Sequence, residues 1–175
     1  MSGFRFSTRT LTTLAMLTAL EIVLSRFLSL NAWNIKIGFN FVPVVAAAIL
    51  YGPIGAGLVA ALGDFLGALL FPIGTYFPGF TLTAFLTGCV YGFFLYKEQS
   101  WPRILAAVGI NQLILSLFLN TLWISILYGS PYGPLLAARL VQCLILTAVQ
   151  LIGIPLIAKG LSRTTRKGRT PRKSN

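Results

Sequence analysis

Long apolar runs separated by short turns rich in Gly, Pro and aromatic residues decide what this chain can fold into. They cover residues 11–30, 37–51, 54–71, 79–96, 104–128 and 134–158. A helix needs roughly 17–25 mainly apolar residues to cross a hydrocarbon core about 30 Å thick. Backbone groups in lipid must find partners within their own element, which makes helices the expected form of each run. The 175 residues therefore predict an all-α, polytopic membrane protein, six transmembrane helices in a compact bundle, with no length left for a large soluble catalytic domain. Turn chemistry marks the breaks at Gly52-Pro53, residues 73–78 and residues 128–133. The second run is short and contains Pro43, so a tilted or kinked helix backed by its neighbours is expected there. The membrane domain is placed at residues 1–160, with residues 161–175 as a basic, disordered tail. No heptad pattern or internal repeat stands out.

Side-chain inventory narrows the function. Apolar residues make up 56% and charged residues 10%, against about 45–50% and 25% in soluble domains, so most of the surface faces lipid. The chain has no histidine, and its acids are Glu21, Asp64 and Glu98. Metal-ligand and general-base chemistry therefore has little to work with, and neither an enzyme nor a metal or cofactor site is expected. Cys89 and Cys143 lie in separate apolar runs without C-x-x-C spacing and read as packing residues.

The net charge of +11 does not point to nucleic acid, because the basic residues gather at the chain ends and in one loop. Arg5, Arg9, Lys97, Arg103 and the run Lys159, Arg163, Arg166, Lys167, Arg169, Arg172 and Lys173 all fall on one side of a six-span arrangement. By the positive-inside rule that side is the cytoplasm, which puts both termini there. A signal peptide is the rival reading of Arg5, Arg9 and the first run. Its removal would leave five spans and export the basic tail, so the first run is kept as a helix.

Ionisable groups at membrane depth cost roughly 2.5–3.5 kcal/mol each on insertion scales, so each calls for a partner or a function. Asp64 lies midway along the third run between Gly63 and Gly67. It is either a buried carboxylate paired with an arginine or an acceptor for a donor-rich planar ligand. Arg26 and Arg139 fall in the outer halves of the first and last runs, and Lys36 in the loop between the first two. Snorkelling to headgroups explains any one of them; together on the side poor in positive charge they suit an anionic solute arriving from outside.

In the fifth run Gln112, Ser116, Asn120 and Trp123 share one helical face, and Arg139, Gln142, Cys143 and Gln150 cluster on the sixth. Interhelical bonding is the favoured role of the deeper Gln112 and Gln150. Asn120, Trp123, Arg139 and Gln142 are assigned to a ligand. Trp33, Phe39, Phe41, Phe71, Tyr76, Phe77 and Trp123 crowd the same outer end; they form an interfacial belt or stacking faces for a flat ligand. The loops at residues 31–36, including Asn31, and 73–78 are short enough to cover such a pocket. Ala15 and Ala19 make a small-x-x-x-small pair on the first helix, suited to packing within the chain or against a partner subunit.

The run Ile37-Gly38-Phe39-Asn40-Phe41-Val42-Pro43-Val44-Val45-Ala46-Ala47-Ala48, then Gly52-Pro53 with Gly63-Asp64-Phe65-Leu66-Gly67, and Tyr76-Phe77-Pro78-Gly79-Phe80-Thr81, resemble the substrate-binding S components of energy-coupling factor (ECF) vitamin transporters. The resemblance is to the folate-specific members and covers about residues 8–158. It implies a multi-pass protein of a bacterial plasma membrane that binds folate from outside and imports it. ATP would be hydrolysed by two cytoplasmic ATPases acting through a transmembrane coupling subunit, in agreement with the missing G-x-x-x-x-G-K-[ST] motif. In that family an A-x-x-x-A pair on the first helix faces the coupling subunit, and Ala15 and Ala19 match it. Toppling of the whole S component would carry the closed pocket across the bilayer.

Folate's pterin offers adjacent N–H donors, for Asp64 or Asn120, and faces, for Trp123, Phe39 or Tyr76. Its glutamate tail carries two negative charges for Arg26, Lys36 and Arg139. The substrate contacts expected are thus Arg26, Asn31, Lys36, Phe39, Asp64, Tyr76, Asn120, Trp123, Arg139 and Gln142. An S component for thiamin, riboflavin or pantothenate is the nearest alternative. A small membrane enzyme acting on lipid phosphates is the next, and it would need an acid or histidine cluster that the chain lacks. A purely structural assembly partner would have no use for an outward cationic pocket.

Overall fold

The computed structural model describes residues 7–31 and 36–167. The first helix, α1 (Thr8–Arg26), carries five threonines, and Thr12, Thr13 and Thr18 each donate to a carbonyl four residues back, at 2.9 Å. These bonds keep the hydroxyls satisfied where lipid offers no partner. A hairpin follows instead of more helix. Strand β1 (Ser29–Asn31) pairs antiparallel with β2 (Lys36–Gly38), in the register Ser29↔Gly38, Leu30↔Ile37 and Asn31↔Lys36. The expected helical ends at residues 30 and 37 are therefore corrected: both apolar runs spend their loop-side residues on strands. Gly38 permits the pairing, because a Cβ there would lie 2.6 Å from that of Ser29.

The second helix, α2 (Phe41–Leu70), is broken at Gly52, whose φ of 75° and ψ of −162° are non-helical. A residue with a Cβ is strained in that conformation. Pro53 opens the following arm, where its missing N–H does no harm. The kink expected from Pro43 lies instead at Gly52, since Pro43 occupies the first turn, which leaves its N–H free anyway. Both arms run between the same two levels. Gly52 abuts Tyr96, at the far end of α3 (Pro78–Leu95), whereas Asp64 bonds Thr81 near the start of α3. Phe41, at the start of the first arm, lines the same cavity as Asp64. The arms from Gly52 to that level are about 16–18 Å long at a helical rise, so the chain reverses at Gly52.

Small residues make the core between α2 and α3. Ala47, Ala48 and Ala56 are fully buried, and Gly88 and Gly92 of α3 lie against the backbone of Ala56 and Pro53. Gly92→Val is expected to lower the thermal unfolding midpoint in detergent by the equivalent of about 1–3 kcal/mol, the usual cost of overpacking. Gly109→Ala, with nothing within 4 Å of the added methyl, is expected to leave it unchanged or raise it slightly.

The remaining chain forms one rod and one long helix. The rod consists of α4 (Trp101–Gly109), a π-helical segment (Ile110–Leu119) and α5 (Asn120–Tyr128), and ends at Gly129 in the left-handed region with φ 62°. The last helix, α6 (Tyr132–Lys167), continues past residue 160, so the first part of the expected tail is helical; residues 168–175 lie outside the described residues. Glu98 and Arg103 pair at 3.0 Å on the exposed turn between α3 and α4.

Among the described residues four helices are long and apolar enough to cross a membrane: Phe41–Leu70, Pro78–Leu95, Trp101–Tyr128 and Tyr132–Leu161. The 19-residue α1, with its threonines, Arg9, Glu21 and Arg26, does not reach that apolar content.

Candidate functional site

A cavity of about 650 Å³, within the range of small-molecule sites, lies among all five long helical units. The exposed turn Ile73, Gly74, Thr75 and Tyr76, with Tyr128, rims one end, and Asn111, Gln112, Tyr91 and Gln150 line the other. The rim lies at the end of the bundle opposite Gly52, Tyr96 and the Glu98–Arg103 pair.

Six of the ten expected substrate contacts line this space: Arg26, Asp64, Tyr76, Asn120, Arg139 and Gln142. Arg26 crosses from α1 to α2, where Gly67 makes room for its guanidinium, and its Nη2 donates to the backbone carbonyl of Asp64 at 3.3 Å. The Asp64 carboxylate is used separately. Its Oδ2 accepts from Thr81 Oγ1 at 2.8 Å, and that hydroxyl is 3.2 Å from Tyr76 OH, linking α2, α3 and the turn between them. Tyr76 also stands edge-on to Phe65, with ring centroids 5.8 Å apart. On the opposite wall Arg139 is 6% exposed, and its Nη2 donates to the carbonyl of Ser116 at 3.4 Å. Glu21, buried on α1 against Gly63, adds a second acid to the lining.

Of the other four expected contacts, two are not described and two do not line this space. The side chains of Asn31 and Lys36, and all of Trp33, lie outside the described residues. Phe39 does not line the cavity: it is 53% exposed and faces a separate apolar groove with Phe27, Leu28 and Val149. Its strand-end position turns it away from the cavity, which Phe41 lines instead. Trp123 does not line the cavity either. Its ring fills the space left by Gly79, its Nε1 donates to Thr83 Oγ1 at 3.0 Å, and Phe77 packs on it at 5.5 Å. Trp123 supports the wall from behind, while Phe77 and Thr83 line the cavity.

Several lining residues escaped the sequence reading. Gln112 and Gln150, assigned to interhelical bonds, both line the cavity, although Gln150 does accept from Tyr91 OH at 2.7 Å. Asn111 lies off the α-helical face shared by Gln112, Ser116 and Asn120. The π winding, closed by i→i+5 bonds, brings Asn111 under Ser116 and onto the same wall. Glu21 carried a usable signal: an acid thirteen residues into the α1 helix incurs the same cost as Asp64.

Comparison with known proteins decides the family. The model for "ECF transporter, substrate-specific component" matches residues 9–161. This chain belongs to that family. Among curated relatives of this S component, the folate transporter FolT of Clostridium novyi (strain NT) is 44% identical over 142 residues, covering 81% of this chain and 83% of the relative. The folate transporter FolT of Leuconostoc mesenteroides subsp. mesenteroides is 34% identical over 173 residues, covering 93% and 92%. A crystal structure of FolT bound with folic acid superposes with a TM-score of 0.83 at 34% identity, over 88% of this chain and 95% of that one. The S component is thus a multi-pass membrane protein of a bacterial transporter and not an enzyme.

Proposed function

We propose that this S component binds folate from the extracellular side and imports it as the substrate-specific subunit of an ECF-type transporter. The observation that carries the proposal is the cavity: two guanidinium-bearing residues, Arg26 and Arg139, line it together with amides and hydroxyls. Folate presents that chemistry in mirror image, with two carboxylates on the tail and a ring edge of N–H donors. Arg26 and Arg139 hold the tail, aided by Gln142 and by Asn31 and Lys36, the last strand pair before the hairpin loop. The ring's donors fall to acceptors on the wall, Asp64 and Asn120 being candidates, with Tyr76 and Phe77 against its faces. The relatives named as folate transporters, and the FolT crystallised with folic acid, support this choice of vitamin.

The assembly we propose has six spans, with the two arms of α2 each crossing part of the bilayer and α1 as the first span. Both termini lie in the cytoplasm, since Arg9, the Lys97–Arg103 turn and Lys159 share the end opposite the cavity rim. Energy enters through a transmembrane coupling subunit and two cytoplasmic ATPases, and Ala15 and Ala19 on the exposed side of α1 contact the coupling subunit. Residues 1–160 form the substrate-binding domain. Chain purified from cells grown on folic acid is expected to carry about one folate per polypeptide, read by mass spectrometry of the extracted ligand. Chain that carries thiamin, riboflavin or pantothenate instead would overturn the choice of vitamin.

A further inference from the structure

Helix α1 presents one acid and one base to α2, and α2 has a glycine opposite each. A Cβ at Gly63 would fall on the Glu21 carboxyl group, 2.6 Å from its Cδ, and a Cβ at Gly67 would lie 2.8 Å from Arg26 Nε. The two glycines are four residues apart on α2, about 6 Å along a helix. Glu21 and Arg26 are thus seated in neighbouring notches of one interface, and both line the cavity. Close packing of the helices accounts for the glycines but not for the acid, since a carboxylate at 3% exposure in a lipid-embedded bundle is costly. Hydrogen bonding does not account for it either, because glutamine offers the same shape with a carbonyl and an amide. The charge itself is the feature to explain.

Arg26 is incompletely satisfied where it sits. Its Nη2 donates to the Asp64 carbonyl, whereas its buried Nε meets no acceptor, and among the described residues no ion pair joins it to an acid. Glu21 therefore acts on Arg26 through space, as a negative charge about one helical turn away in surroundings of low dielectric. Asp64, the other acid of the lining, has its Oδ2 engaged by Thr81. Two acidic and two basic side chains, Glu21, Asp64, Arg26 and Arg139, thus line the cavity among the described residues and leave it electrically balanced before a ligand enters. A dianion brought to the two arginines upsets that balance, and at Arg26 it meets Glu21 one notch away.

We infer that Glu21 is an internal competitor of the ligand's carboxylate. It balances Arg26 while the cavity is empty and repels a carboxylate bound there, so affinity for an anionic ligand stays below what the two arginines alone would give. The inference rests on the folate reading and adds to it a residue that sets affinity according to the charge of the ligand. Such a residue suits a transport protein, because a site must bind well enough to load and weakly enough to let go.

The test uses the full chain in detergent and three probes that differ in charge: folic acid with two carboxylates, pteroic acid with one, and pterin with none. The last two are measured by competition against folic acid. Glu21→Gln is expected to tighten folic acid about tenfold or more, pteroic acid by a smaller factor, and pterin by less than twofold. Glu21→Met, which removes the polar atoms as well, should give the same ranking. A gain that grows with ligand charge cannot come from loosened packing, and so separates the electrostatic role from a structural one. Unchanged or weaker folic acid binding by Glu21→Gln, or an equal gain for all three probes, overturns the inference. Loss of all three probes in both variants overturns it too, since Glu21 would then be a requirement of the fold and not a competitor. Failure of the wild type to bind folic acid at all would instead overturn the folate reading, and this inference with it.

Discussion

Arg139→Met is expected to weaken folic acid binding at least a hundredfold without lowering the stability of the unliganded chain. Hydrogen bonds to charged groups contribute about 1.5–3 kcal/mol each, and a guanidinium that grips a carboxylate makes two of them. Their loss leaves a carboxylate of the ligand unpaired in a site of low dielectric. Stability behaves differently, because a cation buried at 6% exposure in a lipid-embedded bundle is itself costly to insert, by roughly 2.5–3.5 kcal/mol. Removing it sacrifices its internal bonding, which includes the 3.4 Å bond to the Ser116 carbonyl, but relieves that cost, and methionine keeps most of the packing volume. Isothermal titration and thermal unfolding on the same preparation separate the two effects. Unchanged affinity would mean that Arg139 serves only the protein's internal bonding.

Ala15→Leu combined with Ala19→Leu is expected to produce the opposite dissociation: folic acid affinity within twofold of wild type, and cellular uptake reduced at least tenfold. Leu11, Ala15, Ala19 and Val23 repeat every four residues and are all exposed, so they form one stripe down α1 on the side away from the cavity. Small residues in the middle of such a stripe let a second helix approach closely, and leucines there would hold the coupling subunit off. Binding measured on the isolated chain should not register this change. Uptake measured in cells that supply the coupling and ATPase subunits should. Normal uptake by the double variant would place the coupling surface elsewhere, and lost binding would show that the stripe serves the fold of the pocket.

How far the sequence could be read varied with the physics behind each signal. Gly52-Pro53 was legible as a break because few residues tolerate the backbone conformation found at Gly52 and Pro53 suits a helix start. The turn at residues 73–78 was legible for similar reasons. Hydrophobicity alone could not distinguish the strands Ser29–Asn31 and Lys36–Gly38 from helical ends, since both place apolar residues at the same depth.

The cost of burying charge singled out Arg26, Asp64 and Arg139, and all three line the cavity. Trp123 stands behind the wall; an indole satisfied by a neighbouring threonine looks, in sequence, the same as one awaiting a ligand. Asn111 was hidden by the assumption of α-helical periodicity through a segment wound as a π-helix. The Gly88-x-x-x-Gly92 pair that lets α3 touch the α2 backbone was readable from spacing alone, yet only the Ala15–Ala19 pair was picked out.

Everything assigned to individual side chains presupposes that the cavity receives folate. The most direct measurement is equilibrium binding of folic acid to the purified, detergent-solubilised chain, with thiamin, riboflavin and pantothenate as competitors. Saturable binding of one folic acid per chain, undisturbed by excess of the other three, is the predicted result. No binding, or displacement by one of those vitamins at comparable concentration, would contradict it.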